Sequence, residues 1–462
     1  MNSPLTRRRV LLAAAAAAAT ASLSACVSRP RTTDMPPIVF VHGNGDTAGL
    51  WISTIWRFES NGWPRDRLHA IDMPYPLARD DDGRAQPGRS SIAEYTAHVA
   101  AEVRKVLAAT GAAKVALVGV SRGGYAIRNF VANGGGAAVV SHAVLGGAPN
   151  HGVWSNPAFL PGSEFNGAGP FLVKLNAPQG AAGNEVTSGV AWMTIRSDNN
   201  DKYAQPDGVW IGARGTPTNV TFDGPALKGA ENVVIAGVDH RETALSARAF
   251  AEMYRFIAGR APATLAIVPE ARVVLDGMVS GLGLDNREGN FATNLPLAGA
   301  TVEVYPTDPA TGLRLGPAAH RTTVGGDGRW GPFIADPAAR YEFVIAAPGY
   351  ATTHVYRSPF PRSSSIVSLH PERLADADRD ARSLVTLTRP RGYFGVPRDR
   401  IALDGTSPPA GIPSGVAGVS SARLKVADAG ERSVVGEFND ERIVGRTWPV
   451  AGNNVVVLEL TY

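Results

Sequence analysis

A pentapeptide of the form G-x-S-x-G, Gly119-Val120-Ser121-Arg122-Gly123, constrains this 462-residue chain more than any other feature. It stands between an apolar run from Val115 to Val120, which is typical of a buried strand, and a helical pattern from Arg122 to Ala132. At such a turn the serine must adopt a strained conformation that exposes its Oγ, and side chains in place of the two glycines would collide with neighbouring backbone. The sequence therefore predicts that Ser121 is a nucleophile.

Short β-rich runs alternate with helical segments from Ile38 to about Arg260. A helix is predicted from Ser91 to Leu107, with a capping box formed by Ser91 and Glu94. The predicted strands are Ile38–Val41, Val115–Val120, Val139–Leu145, Met193–Arg196 and Val233–Ala236. This alternation predicts an α/β domain over residues 36–260, with a mostly parallel sheet covered by helices on both faces.

The loop His42-Gly43-Asn44-Gly45 follows the first predicted strand, where it can help to stabilise an oxyanion. We expect the backbone amides of Asn44 and Arg122 to be the donors, because backbone donors need no side-chain ordering. His42 precedes the central strands of the sheet, so we interpret it as a residue that organises this loop and not as a base.

A general base is expected after the last strand of the sheet, since the chain order in such domains is serine, acid, histidine. His240 lies in Gly237-Val238-Asp239-His240-Arg241, directly after the predicted strand Val233–Ala236. The other histidines fall before the acid strand or in the C-terminal part of the chain. The sequence therefore predicts that His240 takes the proton of Ser121 and returns it to the leaving alcohol.

The acid that orients this imidazole is expected after the strand Met193–Arg196, where both Asp198 and Asp201 occur. We predict Asp201, which precedes Tyr203 and Pro206 in a pattern common after the acid, and keep Asp198 as the alternative. These two carboxylates and Asp207 could also form a calcium site, but Asp is a usual residue in turns. We predict neither a metal ion nor an organic cofactor.

Residues 150–190 are rich in Gly, Pro and Asn, with interspersed aromatic and leucine side chains. We predict that they form an insertion over the sheet, which acts as a lid or shapes an acyl pocket. The alternative is an irregular connection that buries its own aromatic residues.

Past Arg260 the helical patterns end, and strands of period two with Gly-rich turns continue to the C-terminus. We predict an all-β region: residues 262–371 resemble a transthyretin-like or carboxypeptidase-regulatory-like sandwich, and residues 383–462 form a third domain or a second sheet. Because this region supplies no predicted catalytic residue, we expect it to serve insoluble or long-chain substrates rather than chemistry.

Residues 35–260 resemble secreted bacterial triacylglycerol lipases. The resemblance rests on His42-Gly43, on the pentapeptide at Ser121, and on two further segments, Gly147-Ala148-Pro149-Asn150-His151-Gly152 and Pro170-Phe171-Leu172-Val173-Lys174-Leu175-Asn176. It implies hydrolysis of acylglycerols through an acyl-enzyme on Ser121. The alternatives are a polyester depolymerase of the polyhydroxyalkanoate type and an adhesion lipoprotein whose hydrolase core is inactive.

The first 25 residues have the pattern of an export signal. The segment Thr6-Arg7-Arg8-Arg9 resembles a twin-arginine signal, and Leu23-Ser24-Ala25-Cys26 resembles a bacterial lipobox. Cys26 is the only cysteine, so a disulfide framework is excluded, and we predict that it carries a lipid that anchors the chain to a membrane through the tether 26–35. The alternative is that Cys26 merely follows an ordinary cleavage site. We expect the protein to be exported and held at the cell envelope, or secreted.

The charge of the chain gives no reason to expect a nucleic-acid partner. Without residues 1–25 the chain has 42 basic and 41 acidic residues, and no basic patch is interleaved with aromatic residues. A lipid or another ester is the expected substrate.

Overall fold

The computed structural model describes residues 35–282, 292–428 and 430–462. The predicted export signal and Cys26 lie outside these residues. No helix in the described ranges is long and apolar enough to cross a membrane.

The first half of the chain forms a six-stranded parallel sheet with the order β2-β1-β5-β6-β7-β8. Its strands, together with a separate short parallel pair formed by β3 and β4, are β1 Ile38–Val41, β2 Leu68–Ile71, β3 Leu77–Ala78, β4 Arg89–Ser90, β5 Val115–Val120, β6 Val140–Gly146, β7 Ala191–Arg196 and β8 Glu231–Val234. Every residue of β1 and β5 is buried, as expected for central strands that are covered on both faces. The predicted α/β class is confirmed.

Six α-helices connect and cover these strands. They are α1 Ile52–Ser60, α2 Ile92–Thr110, α3 Arg122–Asn133, α4 Pro170–Leu175, α5 Glu242–Leu245 and α6 Ala247–Ala258. Ser91 caps α2 and forms the predicted capping box with Glu94. Short 3-10 helices lie at Ala48–Trp51, Arg65–Arg67, Gly136–Ala138, Lys202–Ala204, Val209–Ile211, Asp376–Asp378 and Val450–Gly452.

The predicted strands agree with the observed ones to within about two residues at each end. The last strand is the least accurate: it runs from Glu231 to Val234 and not from Val233 to Ala236. It lies at the edge of the sheet and three of its four residues are exposed, so its boundaries depend on pairing with β7 more than on a buried apolar pattern.

The second half of the chain is built mainly from strands. They are β9 Val273–Leu275, β10 Ser280–Leu282, β11 Ala292–Pro296, β12 Thr301–Thr307, β13 His320–Thr323, β14 Phe333–Ala335, β15 Arg340–Ala346, β16 Thr352–Arg357, β17 Ser383–Thr388, β18 Ile401–Leu403, β19 Ser421–Val426, β20 Ser433–Phe438, β21 Glu441–Arg446 and β22 Asn454–Glu459. The predicted all-β architecture is confirmed.

A seven-stranded mixed sheet joins the two β segments that the sequence left separate. Its order is β13-β12-β15-β16-β22-β17-β19, so the last strand of the chain, β22, lies between β16 and β17 and is parallel to both. Three strands of residues 383–462, β17, β19 and β22, therefore extend the sheet that begins before residue 371, whereas β18, β20 and β21 form a separate three-stranded sheet. This pairing joins residues about a hundred positions apart, which no local pattern encodes.

The α/β domain and the β region share an apolar core. Ile52 and Trp56 of α1 pack in one cluster with Val273, Trp330 and Phe360 of the β region. The indole Nε1 of Trp56 also donates a hydrogen bond to the carbonyl of Ser363 at 2.9 Å. Residues Pro36–Tyr462 form one compact unit.

Candidate active site

Ser121 stands at the carboxyl end of β5, in the centre of the parallel sheet. Its backbone has φ 52° and ψ −123°, a conformation that is strained for a residue with a side chain. The amide of Ser121 donates to the carbonyl of Gly146 at 2.9 Å, and helix α3 begins at the next residue. The turn therefore holds the serine at the edge where the other strands of the sheet also end.

The two glycines of the pentapeptide are required by close backbone approach. A Cβ on Gly123 would lie 2.5 Å from the carbonyl oxygens of both Val41 and His42, which is the predicted collision with backbone. A Cβ on Gly119 would lie 2.6 Å from the side-chain Cδ1 of Ile127 and 3.0 Å from the backbone carbonyl carbon of Gly123.

His240 and Asp201 meet at this edge, although 38 residues separate them in the chain. The imidazole Nδ1 lies 2.9 Å from each carboxylate oxygen of Asp201, and both residues are buried. The ring of Tyr203 packs edge-on against the imidazole, with ring centroids 4.6 Å apart. Nε2 of His240 is buried and has no hydrogen-bond partner among the described residues. The carboxylate thus holds the tautomer in which Nδ1 carries the proton and Nε2 can accept one.

Asp198, the alternative acid, has different partners. Its Oδ1 accepts the amide of Asn200 at 3.2 Å, and its Oδ2 accepts the amide of Gly237 at 3.0 Å. Asp207 accepts the amide of Val209 at 3.0 Å. The three carboxylates of the conceived calcium site therefore face separate partners, and within the described ranges no group of three or more His, Cys, Asp and Glu residues is suited to a metal ion.

The structure places His42 beneath the loop and not at the base position. The ring is completely buried, Nδ1 lies 2.8 Å from the carbonyl of Gly43, and Nε2 accepts the amide of Met73 at 3.0 Å. Burial lowers the pKa of His42, so the neutral ring can bridge these two backbone groups.

The expected oxyanion donors belong to two segments near Ser121: Asn44 lines the same cavity, and Arg122 is the next residue in the chain. Asn44 follows the end of β1, and its side-chain Oδ1 accepts the amide of Ala78 at 2.7 Å, which leaves the side chain committed to the loop. Arg122 is the first residue of α3, where helix amides point outward without an intrahelical partner. Its side chain is completely buried and forms a bidentate ion pair with Glu164, at 2.7 and 3.0 Å.

A cavity of about 140 Å³ lies at the candidate active site. Ser121 and His240 both line it, and aromatic side chains from three parts of the chain form much of its wall. They are Trp154 and Phe165 of the predicted insertion, Tyr203 and Trp210 of the loop that carries the predicted acid Asp201, and Tyr393 of the β region. A second cavity of about 310 Å³ is also lined by His240, together with Asn150 and Phe222.

The predicted insertion shapes the cavity in its first part and packs on the sheet in its second part. Trp154 and Phe165 line the cavity, whereas Leu172 and Leu175 of α4 belong to the apolar core of the α/β domain. The segment therefore contains both cavity-lining and core residues, and its role in shaping an acyl pocket stays a prediction. Movement of the segment as a lid stays a prediction.

Comparison with known protein families agrees with this architecture. Residues 36–172 match the family described as the alpha/beta hydrolase fold, and residues 271–374 match the lipase C-terminal domain. The first part of the chain therefore has the α/β-hydrolase fold, and the second part contains a segment that matches a lipase C-terminal domain.

Solved structures similar to this hydrolase share little sequence with it. Aspergillus fumigatus lipase B is 16% identical with a TM-score of 0.34, and the alignment covers 50% of this chain and 54% of the lipase. The chain thus spans about half the length of that lipase. Bacillus licheniformis lipase BlEst2 is 19% identical in its mature form, with a TM-score of 0.35 and coverage of 48% of this chain and 92% of the lipase. Its propeptide form is 15% identical, with a TM-score of 0.36 and coverage of 90% and 92%. These scores are too low to transfer a substrate or a residue role.

Three features of the hydrolase site were not expected from the sequence. Tyr393 reaches the cavity from the β region, Lys202 lies among three aromatic rings beside the acid, and Asp239 forms ion pairs with the β region. Asp239 and Lys202 are each adjacent in sequence to a predicted catalytic residue, and this position is the only feature of the sequence that could have drawn attention to them. The contribution of Tyr393 could not be predicted from the sequence around it, because Tyr393 is far from Ser121 along the chain and no local pattern indicates that the two residues line one cavity.

Proposed function

We propose that this α/β-hydrolase is a serine carboxylic-ester hydrolase that forms an acyl-enzyme on Ser121. The observation that carries the proposal is the contact of both Asp201 carboxylate oxygens with Nδ1 of His240, in a cavity that Ser121 also lines. Such a carboxylate keeps the imidazole in the tautomer that can act as a base and stabilises the imidazolium that forms.

In the acylation step Ser121 Oγ attacks the carbonyl carbon of the ester while its proton passes to Nε2 of His240. The tetrahedral intermediate collapses, the bond between the acyl carbon and the alkoxide oxygen breaks, and the imidazolium gives its proton to the departing alcohol. Water then loses a proton to His240 and attacks the acyl-enzyme. The acid leaves, and Ser121 recovers its proton.

The negative charge of the intermediate would be stabilised by the backbone amides of Asn44 and Arg122. Each lies on a segment directly beside Ser121, and the N-terminus of α3 adds the favourable end of a helix dipole. A single donor of this kind contributes about 2.7 to 4 kcal/mol to the transition state.

The proposed substrates are acylglycerols with short acyl chains. The cavity at Ser121, at about 140 Å³, is close to the engineered cavity of about 150 Å³ that holds benzene. Its aromatic wall suits an apolar group, and a long chain would have to extend beyond it.

The proposal includes an exported enzyme that is anchored at the cell envelope through a lipid on Cys26. It is supported by the single cysteine directly behind Leu23-Ser24-Ala25. Mass spectrometry of the mature N-terminus and partition into detergent test this part, and Cys26→Ala should release soluble enzyme. An unmodified Cys26 in the mature chain would contradict it.

The test of the catalytic proposal is hydrolysis of p-nitrophenyl esters, emulsified triglycerides of graded chain length and polyhydroxyalkanoate films by the wild type and by Ser121→Ala. We expect Ser121→Ala to fold normally and to lose activity by several orders of magnitude, because the comparable change in subtilisin costs about a millionfold in turnover. A fluorophosphonate probe should label the wild type and not the variant.

Each alternative predicts a different result in this experiment. A polyester depolymerase would release acid faster from films than from glycerides, and an inactive adhesion lipoprotein would neither react with the probe nor hydrolyse any ester. Normal activity of a folded Ser121→Ala variant would overturn the assignment of the nucleophile.

A further inference from the structure

The loop that carries His240 is held only partly by its own domain, through the hydrogen bond from Gly237 to Asp198 and the ion pair between Arg241 and Asp46. It follows β8, the edge strand of the parallel sheet, and three of the four residues of that strand are exposed. An edge strand pairs on one side only, so the residues that follow it need contacts from elsewhere to keep a fixed position.

Those contacts come from the β region, through the residue next to His240. Asp239 is completely buried, and its Oδ2 lies 2.8 Å from Nη1 of Arg389, 2.8 Å from the amide nitrogen of Tyr393 and 3.3 Å from Nη2 of Arg398. Its Oδ1 accepts the amides of Arg241 and Glu242 and so shapes the turn itself.

Glu242 extends this contact into a larger network of charges. Its Oε1 lies 2.5 Å from Nη2 of Arg389, and its Oε2 lies 2.8 Å from Nη1 of Arg398. Two carboxylates of the His240 loop thus meet two guanidinium groups of the β region, and Asp399 of the β region also pairs with Arg398 at 2.8 Å. We call Arg389 and Arg398 the clamp.

The loop that carries the acid is anchored to the same region. The amide of Ala417 donates to Asn200 Oδ1 at 3.0 Å, and Lys202 Nζ donates to the carbonyl of Gly418 at 2.9 Å. Trp210 packs directly on Gly418, where a Cβ would lie 1.8 Å from the indole ring.

Backbone hydrogen bonds connect the two anchoring points. The amide of Phe394 donates to Val419 at 2.7 Å, and the amide of Gly418 donates to Phe394 at 3.1 Å. The stretch beside the clamp is therefore paired with the stretch that holds the acid loop. Both catalytic loops rest on one connected piece of the β region, which limits the separation of Asp201 and His240.

We propose that the β region is a working part of the catalytic centre, in which Arg389 and Arg398 are positioning residues that hold His240 in place through Asp239 and Glu242. The inference rests on the proposed function, because it assigns a task to the base of that reaction. It differs from the expectation that the β region serves insoluble or long-chain substrates rather than chemistry: loss of the clamp should slow the hydrolysis of soluble esters as well.

The experiment uses the full chain with Arg398→Gln and Arg398→Lys, and Arg362→Gln as the matched control. Arg362 also joins the β region to the α/β domain, through Glu59 at 2.8 Å, and its side chain is 12% exposed against 21% for Arg398. It lies outside the residues that line the Ser121 cavity. Any effect of weaker domain docking alone should appear equally in this control.

We expect Arg398→Gln to lower kcat on a soluble short-chain ester by about tenfold to a hundredfold, since a misplacement of about 1 Å costs about a hundredfold. KM should change by less than about threefold, because the clamp does not touch substrate. Arg398→Lys should recover part of the loss, and the strongly deshielded proton between Asp201 and His240 should broaden in the NMR spectrum of Arg398→Gln but not of Arg362→Gln.

Equal kcat losses in Arg398→Gln and Arg362→Gln at equal melting temperatures would overturn the inference, as would an unchanged kcat in a folded Arg398→Gln. If Arg398→Gln does not fold, Arg398→Lys carries the test, since it keeps the charge but loses the planar fork. An inactive Ser121→Ala together with an unaffected Arg398 variant would reject the clamp alone. An active Ser121→Ala would reject the proposed function itself.

Discussion

Arg122 and Glu164 form a bidentate ion pair in which both side chains are completely buried. The guanidinium belongs to the residue after the nucleophile, and the carboxylate belongs to the segment that the sequence predicted as a lid. Arg122 also donates to the carbonyls of Pro76 and Ser90, so the pair ties three segments together behind the Ser121 turn. A lid motion that moved Glu164 would have to separate this pair in a buried place.

We expect Glu164→Gln to lower the free energy of unfolding by about 3 to 5 kcal/mol, because it leaves a buried guanidinium without its counter-charge. Urea unfolding followed by circular dichroism measures this change. Glu231→Gln is the control, since it removes a pair with Arg255 in which both side chains are 42% exposed, and it should cost less than about 1 kcal/mol. Equal losses in the two variants would show that the buried pair has no special role.

Asp201 and Asp198 should differ in what they contribute. Asp201→Asn should keep its fold and lose turnover by up to about ten-thousandfold, as in the trypsin precedent, because the amide can hold the imidazole in the wrong tautomer. Asp198→Asn should mainly reduce stability, by about 0.5 to 3 kcal/mol, since its carboxylate joins the two loops through the amides of Asn200 and Gly237. The turnover of one soluble ester and the melting temperature, measured for both variants, distinguish the two roles. If Asp198→Asn were stable and inactive while Asp201→Asn stayed active, Asp198 would be the acid.

Ile211→Ala should shift the preferred acyl chain to greater length. Ile211 lines the cavity of about 140 Å³ and is only half-buried, so its truncation enlarges the space at a modest cost in stability. The ratio of kcat/KM for an eight-carbon ester to that for a four-carbon ester should rise by about tenfold, the order of magnitude for one or two methylenes in an apolar pocket. Ile334→Ala, at a position that is 61% exposed in the β region, should leave this ratio unchanged.

Lys202 should make the stability of the protein depend on pH in the alkaline range. Burial, helped by the nearby Arg241, lowers the pKa of Lys202 to about 8 from its ordinary 10.5. Between these two values the unfolded chain binds more protons than the folded one, so the contribution of this group to the free energy of unfolding rises with pH. The wild type should therefore gain stability relative to Lys202→Met between pH 8 and pH 10.5.

Urea titrations at several pH values across this window measure that difference. Lys114→Met, which removes one positive charge at an exposed position, provides the matched control for the loss of charge. A constant stability difference between the wild type and Lys202→Met across this window would contradict the depressed pKa of Lys202.

The strands of the β region could be predicted from the sequence, but their arrangement in the sheet could not. Its strands were predicted from their period of two and their Gly-rich turns, which are local features. The place of β22 between β16 and β17 was not, since it depends on pairing between residues about a hundred positions apart. The expectation that this region stays remote from chemistry was based on the absence of a predicted catalytic residue, and Tyr393 nevertheless lines the Ser121 cavity.

The sequence by itself determined the α/β class, the strained turn at Ser121, and the position of His240 after the last strand, because these depend on periodicity and on the order of elements along the chain. It restricted the candidates for the acid to two carboxylates on one loop, those of Asp198 and Asp201. Only the tertiary structure decided that Asp201 faces His240 while Asp198 faces backbone amides, and that Asp239 meets Arg389 across 150 positions of sequence. Contacts of this kind form where burial brings distant charges together, and the free energy that selects them belongs to the packed molecule and not to any local segment.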